Sequence, residues 1–189
     1  MKAFFSLIDQ MNRRPEQAAE LENLIWQTFG ADKAVLALDM SGFSLTVRRD
    51  GILAYLRKIR LMQDVTLPLI RQHQGDVVKC EADNLMVTFD DCNDAVAAAS
   101  AIRQACLDIR QEVSIGLDYG HILLIPDTDC YGDAVNLAFK LGEDIARNNE
   151  ILLTDEVHKR LSRDQVSCEE QHVSISGLQL SCWRLLSMV

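Results

Sequence analysis

No two cysteines stand at Cys-x-x-Cys spacing and no two histidines at His-x-x-x-His in this chain of 189 residues. The six cysteines (Cys80, Cys92, Cys106, Cys130, Cys168, Cys182) are scattered. Such scatter fits reduced, mostly buried thiols in a cytoplasmic protein better than a disulfide framework or a zinc site. The four histidines are equally dispersed, which argues against transition-metal chemistry. No apolar run approaches the ~20 residues needed to span a bilayer. The opening MKAFFSLIDQMNRRP is too polar and too soon interrupted for a secretory signal. Net charge is −9, with no visible basic stripe, which disfavours nucleic-acid duplexes and anionic membranes as partners. A negatively charged substrate would need metal ions or a few placed cations. Repeats, low-complexity tracts and convincing linkers are missing too. What remains is 48% apolar residues, enough for one domain with a substantial core.

Residues 14–29 predict a helix: Pro15 suits its first turn, Leu21, Leu24, Ile25 and Phe29 form a stripe, and Gly30 is a stop. Residues 34–39 predict a buried strand, and 51–73 a helix that Pro68 kinks or breaks. Two β-type runs then meet around Glu81-Ala82-Asp83-Asn84, a hairpin with an acidic tip. An Ala-rich helix (92–110), strands on either side of a Tyr119-Gly120 break (113–125) and a helix at 133–147 follow. A strand (151–154), a short helix (155–162) and strands near 171–175 and 179–186 finish the chain. The order β-α-β-β-α-β is the ferredoxin-like pattern. The expected fold is therefore α+β, with a helical extension at 1–32 and the main domain at 33–189.

Two acids stand out by position. Asp39 leaves the end of a buried strand and runs into Ser41-Gly42-Phe43-Ser44; Asp83 sits at the hairpin tip. In a ferredoxin-like sheet the first and third strands are neighbours, so the two carboxylates can converge. Converging carboxylates with open coordination positions suit Mg²⁺ or Mn²⁺ when phosphates supply the other ligands. The SGFS turn would offer backbone N–H groups to a polyphosphate, Gly42 allowing close approach. Taken singly, either aspartate reads more readily as a helix cap or turn residue.

DMSGFS, then Lys79-Cys80-Glu81-Ala82-Asp83, then Asp129-Cys130-Tyr131-Gly132-Asp133-Ala134-Val135-Asn136 resemble, in order, the class III adenylyl/guanylyl cyclase catalytic domain. The similarity covers roughly residues 34–186, and YGDAVNLAFKL followed by ILLTDEV is especially close. The resemblance implies a head-to-tail homodimer with the active site at its interface. Asp39 and Asp83 would hold two Mg²⁺ or Mn²⁺ ions per site against the triphosphate of ATP. Ser41, Gly42, Phe43 and Ser44 would line that triphosphate. Lys79 and Asp129 match the purine-reading pair, with chemistry suited to adenine: Lys⁺ donates to N1 and a carboxylate accepts from the N6 amine. Asn136 matches the ribose-positioning residue. Lys140, one turn on and on the same face, falls where the family has a transition-state arginine.

Four departures bear on rate. Ala82 replaces the glycine before the second metal aspartate, and Lys140 lacks the planar fork of arginine. Ser176-Gly177 replaces a phosphate-reaching Lys-Gly, and HILLIPDTDC carries none of the usual basic residues. The expected activity is a soluble adenylyl cyclase making 3′,5′-cyclic AMP and pyrophosphate, slowly unless activated. The competing expectation is a catalytically silent cyclase-homology domain that binds nucleotide or metal, or dimerises. A regulatory protein, if any, is not identifiable from the residues.

Overall fold

The computed structural model of the chain describes residues 2–126, 128–175 and 178–188, without the side chains at 43, 44, 163, 175, 178 and 179. Ser176 and Gly177 lie outside the described residues. Two helices open the chain, α1 (Lys2–Arg13) and α2 (Ala18–Phe29), joined by a 3₁₀ turn at Pro15–Gln17. The single N-terminal helix expected from sequence is thus a helical pair. Then come β1 (Gly30–Met40), α3 (Phe43–Asp50), α4 (Ile52–Gln72), β2 (Asp76–Glu81), β3 (Asn84–Phe89) and α5 (Cys92–Asp108). The second half carries β4 (Val113–Ile125), β5 (Asp129–Tyr131), α6 (Asp133–Phe139), a π-helical turn at Lys140–Ile145, β6 (Ile151–Thr154), α7 (Asp155–His158), β7 (Val166–Ile175) and β8 (Leu178–Met188).

The sheet runs β2-β3-β1-β4-β6-β8-β7, with β5 pairing β4. Its first four strands have the neighbour relations of a βαββαβ unit, with β1 antiparallel to both β3 and β4. Side chains alternate across β1. Ala34, Leu36, Leu38 and Met40 join a core with Tyr55, Ile59, Met62 and Ile70 of α4 and the alanines of α5. Val35 and Ala37 face the other way, against Ala134 and Ala138 of α6. Asp39 continues that second row, so the period of the strand aims its carboxylate toward α6 and the π turn.

Two local expectations are corrected. Tyr119-Gly120 does not interrupt β4, because β1 pairs with it along its length, Ala34 opposite Tyr119 and Lys33 opposite Gly120. Pro68 does not end α4: Met62 and Thr66 before it and Ile70 after it are all buried, and that packing holds the helix through the missing N–H. The break falls instead at Gly51, whose φ of +86° separates α3 from α4. Tight packing explains the π turn beneath Asp39. A Cβ on Gly116 would lie 2.1 Å from the Ala138 carbonyl, and one on Gly142 would lie 3.0 Å from that of Ala37. All six cysteines are free thiols. Among the described residues, no helix is long and apolar enough to cross a membrane.

Candidate active site

The β1–β3 register sets Asp39 opposite Asn84, so Asp83, one residue earlier at the hairpin tip, lies beside Asp39. The turn that presents Asp83 places Ala82 at a φ of +49°, where glycine is the ordinary occupant. The Tyr55 hydroxyl, reaching up from α4, donates to Asp83 Oδ2 at 2.8 Å. Asn84 Nδ2 donates to Glu143 Oε1 at 2.9 Å, which ties the π turn to the same corner. Burial, then the charges of Asp83 and Glu143, push the Asp39 carboxyl up to about 6 from 3.8, against a hydrogen bond from the Met40 amide. Burial, then Asp144 and Asp83, raise Glu143 as well. The Tyr55 hydroxyl is held above its ordinary value by burial and by Asp83.

No lysine or arginine pairs with Asp39, Asp83 or Glu143 among the described residues. Hard oxygen donors under mutual repulsion, with no cation beside them, fit a divalent ion such as Mg²⁺ or Mn²⁺. Among the described residues no three His, Cys, Asp or Glu side chains are grouped closely enough to hold a metal by themselves. That agrees with a site of two carboxylates completed by ligands from a phosphate.

The Ser41 N–H is taken by the Glu112 carbonyl at 3.0 Å, and the Ser41 carbonyl accepts from Gln111 Nε2 at 3.2 Å. Ser41 is therefore anchored to the scaffold and its amide is not free for phosphate, a correction to the expectation for the whole SGFS turn. Gly42, at φ +93°, turns the chain into α3. The first-turn amides of α3 have no intrahelical acceptor. The side chains of Phe43 and Ser44 lie outside the described residues.

A second cluster lies on β2 and β5. Lys79 Nζ is 3.2 Å from Asp129 Oδ2 and 3.5 Å from Glu81 Oε2. The Cys130 amide donates to Asp129 Oδ1 at 3.0 Å and fixes the carboxylate. The Asp129 hydrogen bond raises the Lys79 ammonium above its ordinary value. These groups rim a cavity of about 240 Å³ whose apolar walls are Met86, Val135 and Phe139. A concave apolar slot with one donor and one acceptor at its rim has the chemistry to hold a flat heteroaromatic base. Asn84 lines the same cavity, so it stands between the two clusters.

Asn136 on α6 and Lys140 at the start of the π turn join neither cluster. Neither side chain makes a hydrogen bond or ion pair among the described residues. Tyr55, Asn84, Glu81 and Glu143 escaped the sequence reading. Glu143 follows Lys140 by three residues and was legible only as one more exposed helix acid. Tyr55 looks like an ordinary core aromatic of an amphipathic helix.

No protein-family model matches the chain. One curated relative, "Putative adenylate cyclase 3" of Rhizobium meliloti, is 29% identical over 134 residues. That match covers 67% of this chain, which spans only 22% of the relative's length. Among solved structures, the adenylate/guanylate cyclase/hydrolase from Silicibacter pomeroyi is 26% identical, with a TM-score of 0.70 over 84% of this chain and 98% of that one. The guanylyl cyclase Cya2 superposes at a TM-score of 0.76 with 17% identity, covering 85% of this chain and 94% of that one. The adenylyl cyclase CyaB from P. aeruginosa superposes at 0.73 with 20% identity, covering 84% and 96%. At such identities the last two speak for the fold alone. The superpositions and the order of the motifs thus agree: the chain has the fold of class III adenylyl/guanylyl cyclase catalytic domains, the family its motifs resemble.

Proposed function

We propose that this chain is an adenylyl cyclase that converts ATP to 3′,5′-cyclic AMP and pyrophosphate at sites shared across a homodimer. The observation that carries the reading is the uncompensated pair Asp39 and Asp83 at adjoining strand ends, on a chain that also holds the Lys79–Asp129 cavity. Asp39 and Asp83 hold the divalent ions, two per site. When bound, those ions supply Lewis-acid stabilisation of the triphosphate and activation of the ribose 3′-hydroxyl. Tyr55 and the β1–β3 ladder fix the two carboxylates before ligand arrives, so little reorganisation remains for the reaction. The first-turn amides of α3, with Gly42, face the phosphates.

In the base cavity Lys79 donates to adenine N1 and Asp129 accepts from the N6 amine. Guanine would turn its O6 acceptor toward Asp129 and leave that carboxylate unpaired and repelled, which disfavours it. Entry of the base requires the Lys79–Asp129 bond to open, so each partner trades one hydrogen bond for another. Asn136 orients the ribose. Lys140 contributes charge to the phosphates as a point cation without bidentate grip. The extension 1–32 and the domain 33–189 form the division we propose, although β1 reaches back to Gly30.

The test is cyclic AMP formation by purified chain in Mn²⁺-ATP, set against Asp39→Ala. Activity above the background of that variant is expected, with GTP turned over more slowly than ATP. Its absence sinks the reading. A second reading, a nucleotide-binding domain without turnover, is favoured by Lys140 standing where the family has arginine. Calorimetric ATP binding with no cyclic product would select it.

A further inference from the structure

α4 carries two apolar faces. One packs Tyr55, Ile59, Met62 and Ile70 into the core. The opposite one presents Leu53, Leu56 and Leu61 at i, i+3 and i+8, lining with Arg57, Arg60 and the single acid Asp64 a shallow hollow of about 530 Å³. Leu53 is 73% exposed, and Leu45 of neighbouring α3 is 69% exposed. Ile52, Leu56 and Leu61 complete a group of five exposed large apolar residues within seventeen positions. α3 is tied to α4 by Lys58 Nζ, 3.4 Å from Thr46 Oγ1, so the two helices offer one continuous surface.

The segment that carries this surface is charged oppositely to the molecule. Residues 43–72 hold six of the nineteen lysines and arginines and two of the twenty-eight acids. This segment is therefore +4 and the rest of the chain −13. One of its two acids, Asp50, is already bound by Arg49 at 2.8 Å. The net charge of −9 conceals the patch, and for that reason the sequence alone disfavoured an anionic membrane.

We infer that the α3–α4 face is a docking surface for anionic lipid headgroups, on which the chain rests peripherally without spanning the bilayer. Charge complementarity selects the occupant. Exposed leucines ringed by arginines are the composition of helices that lie in the plane of a membrane interface. The stems of Arg57 and Arg60 are long enough to keep their guanidinium groups at headgroup level while the leucines enter the acyl boundary. The most exposed leucines stand out from the surface, which suits a deformable medium better than a preformed protein groove. At physiological salt, charges interact over only about 8 Å, so the local +4 governs contact while the acidic remainder turns the rest of the molecule away. The inference rests on no step of the proposed reaction.

The full chain is mixed with vesicles of phosphatidylcholine containing phosphatidylglycerol, and with vesicles of phosphatidylcholine alone, and the bound fraction is measured by co-sedimentation. Binding to the anionic vesicles only is expected, weakening as salt rises. The double variants Arg57→Glu/Arg60→Glu and Leu53→Glu/Leu56→Glu should each lower the partition coefficient about tenfold or more. Circular dichroism on both variants checks that they are folded. Lys159→Glu, on exposed α7-flanking surface, should bind as the parent does. Failure of the parent chain to bind anionic vesicles overturns the inference, whether or not either variant folds. So does equal binding to neutral vesicles, or undiminished binding by both folded variants. Sedimentation velocity showing α4-dependent self-association in place of vesicle binding would give the face to a second copy instead.

Discussion

The two halves of the candidate site handle charge in opposite ways. At the β2–β5 cluster, Lys79 is already neutralised by Asp129 and Glu81, and the pair sits at a solvent-open rim. At the β1–β3 corner, Asp39, Asp83 and Glu143 repel one another with no cation paired to them among the described residues, and burial with that repulsion pushes the Asp39 carboxyl up to about 6. One cluster is satisfied without ligand and must open to bind; the other is strained without ligand and relaxes on binding. Under the proposed function, affinity is pre-built at the second and selectivity belongs to the first.

Breaking the acidic corner should have the largest effect. Asp39→Ala should reduce cyclic nucleotide formation to background in the assay above. Asp39→Asn should do the same while making the ligand-free chain more stable at neutral pH. The raised carboxyl of Asp39 binds its proton more tightly when folded, so its contribution is fully present below pH 3.8 and is lost as pH rises to about 6. Allowing for solvent at this half-buried group, the loss is about 1–2 kcal/mol. Thermal melts from pH 4 to 7 should show that decline in the parent chain and a flatter profile in Asp39→Asn. Mn²⁺ should raise the melting temperature of the parent and not of the variant; equal shifts in both would remove Asp39 from the metal site.

Tyr55→Phe sharpens the comparison from inside the same corner. It deletes the hydroxyl that fixes Asp83, for a loss of about 1 kcal/mol and a several-fold weaker Mn²⁺ affinity by calorimetry. Asp129→Asn addresses the other cluster. It should leave the melting temperature nearly unchanged, because exposed ion pairs contribute little to stability. It should nevertheless erode the preference for ATP over GTP in competition binding. Ala82→Gly is the smallest change: glycine relieves the positive φ but costs backbone entropy, for a net gain of a few tenths of a kcal/mol in chemical denaturation.

The order of elements was legible because each left a local mark. The apolar run ending in Asp39, the alternation meeting at Glu81–Asn84 and the alanine-rich stripe of α5 are all set by near neighbours. The adjacency of Asp39 and Asp83 followed once the βαββαβ pattern was assigned. What escaped depends on partners distant in sequence. Tyr119-Gly120 reads as a break until β1 is paired beside it, and Pro68 reads as a stop until its flanks are buried. Lys2–Arg13 shows no helix of its own in the sequence reading until Phe4 and Ile25 meet Ile125 beneath it. Glu143 enters the site only through the π turn, a shape imposed by contact with the sheet. The positive surface of α3–α4 was hidden by summation, since a net charge has no address.

The contact of Gly116 with the π turn behaves as a keyed joint. A bare hydrogen on β4 admits the Ala138 carbonyl and the Gly142 amide into a notch that a methyl group would fill. Such a joint has no intermediate positions: the helix is either seated or lifted off the sheet. Because the same six-residue turn carries both Lys140 and Glu143, seating it sets the cation we propose for the phosphates and the third acid together. The reach of both groups is thus gauged by the thickness of two glycines.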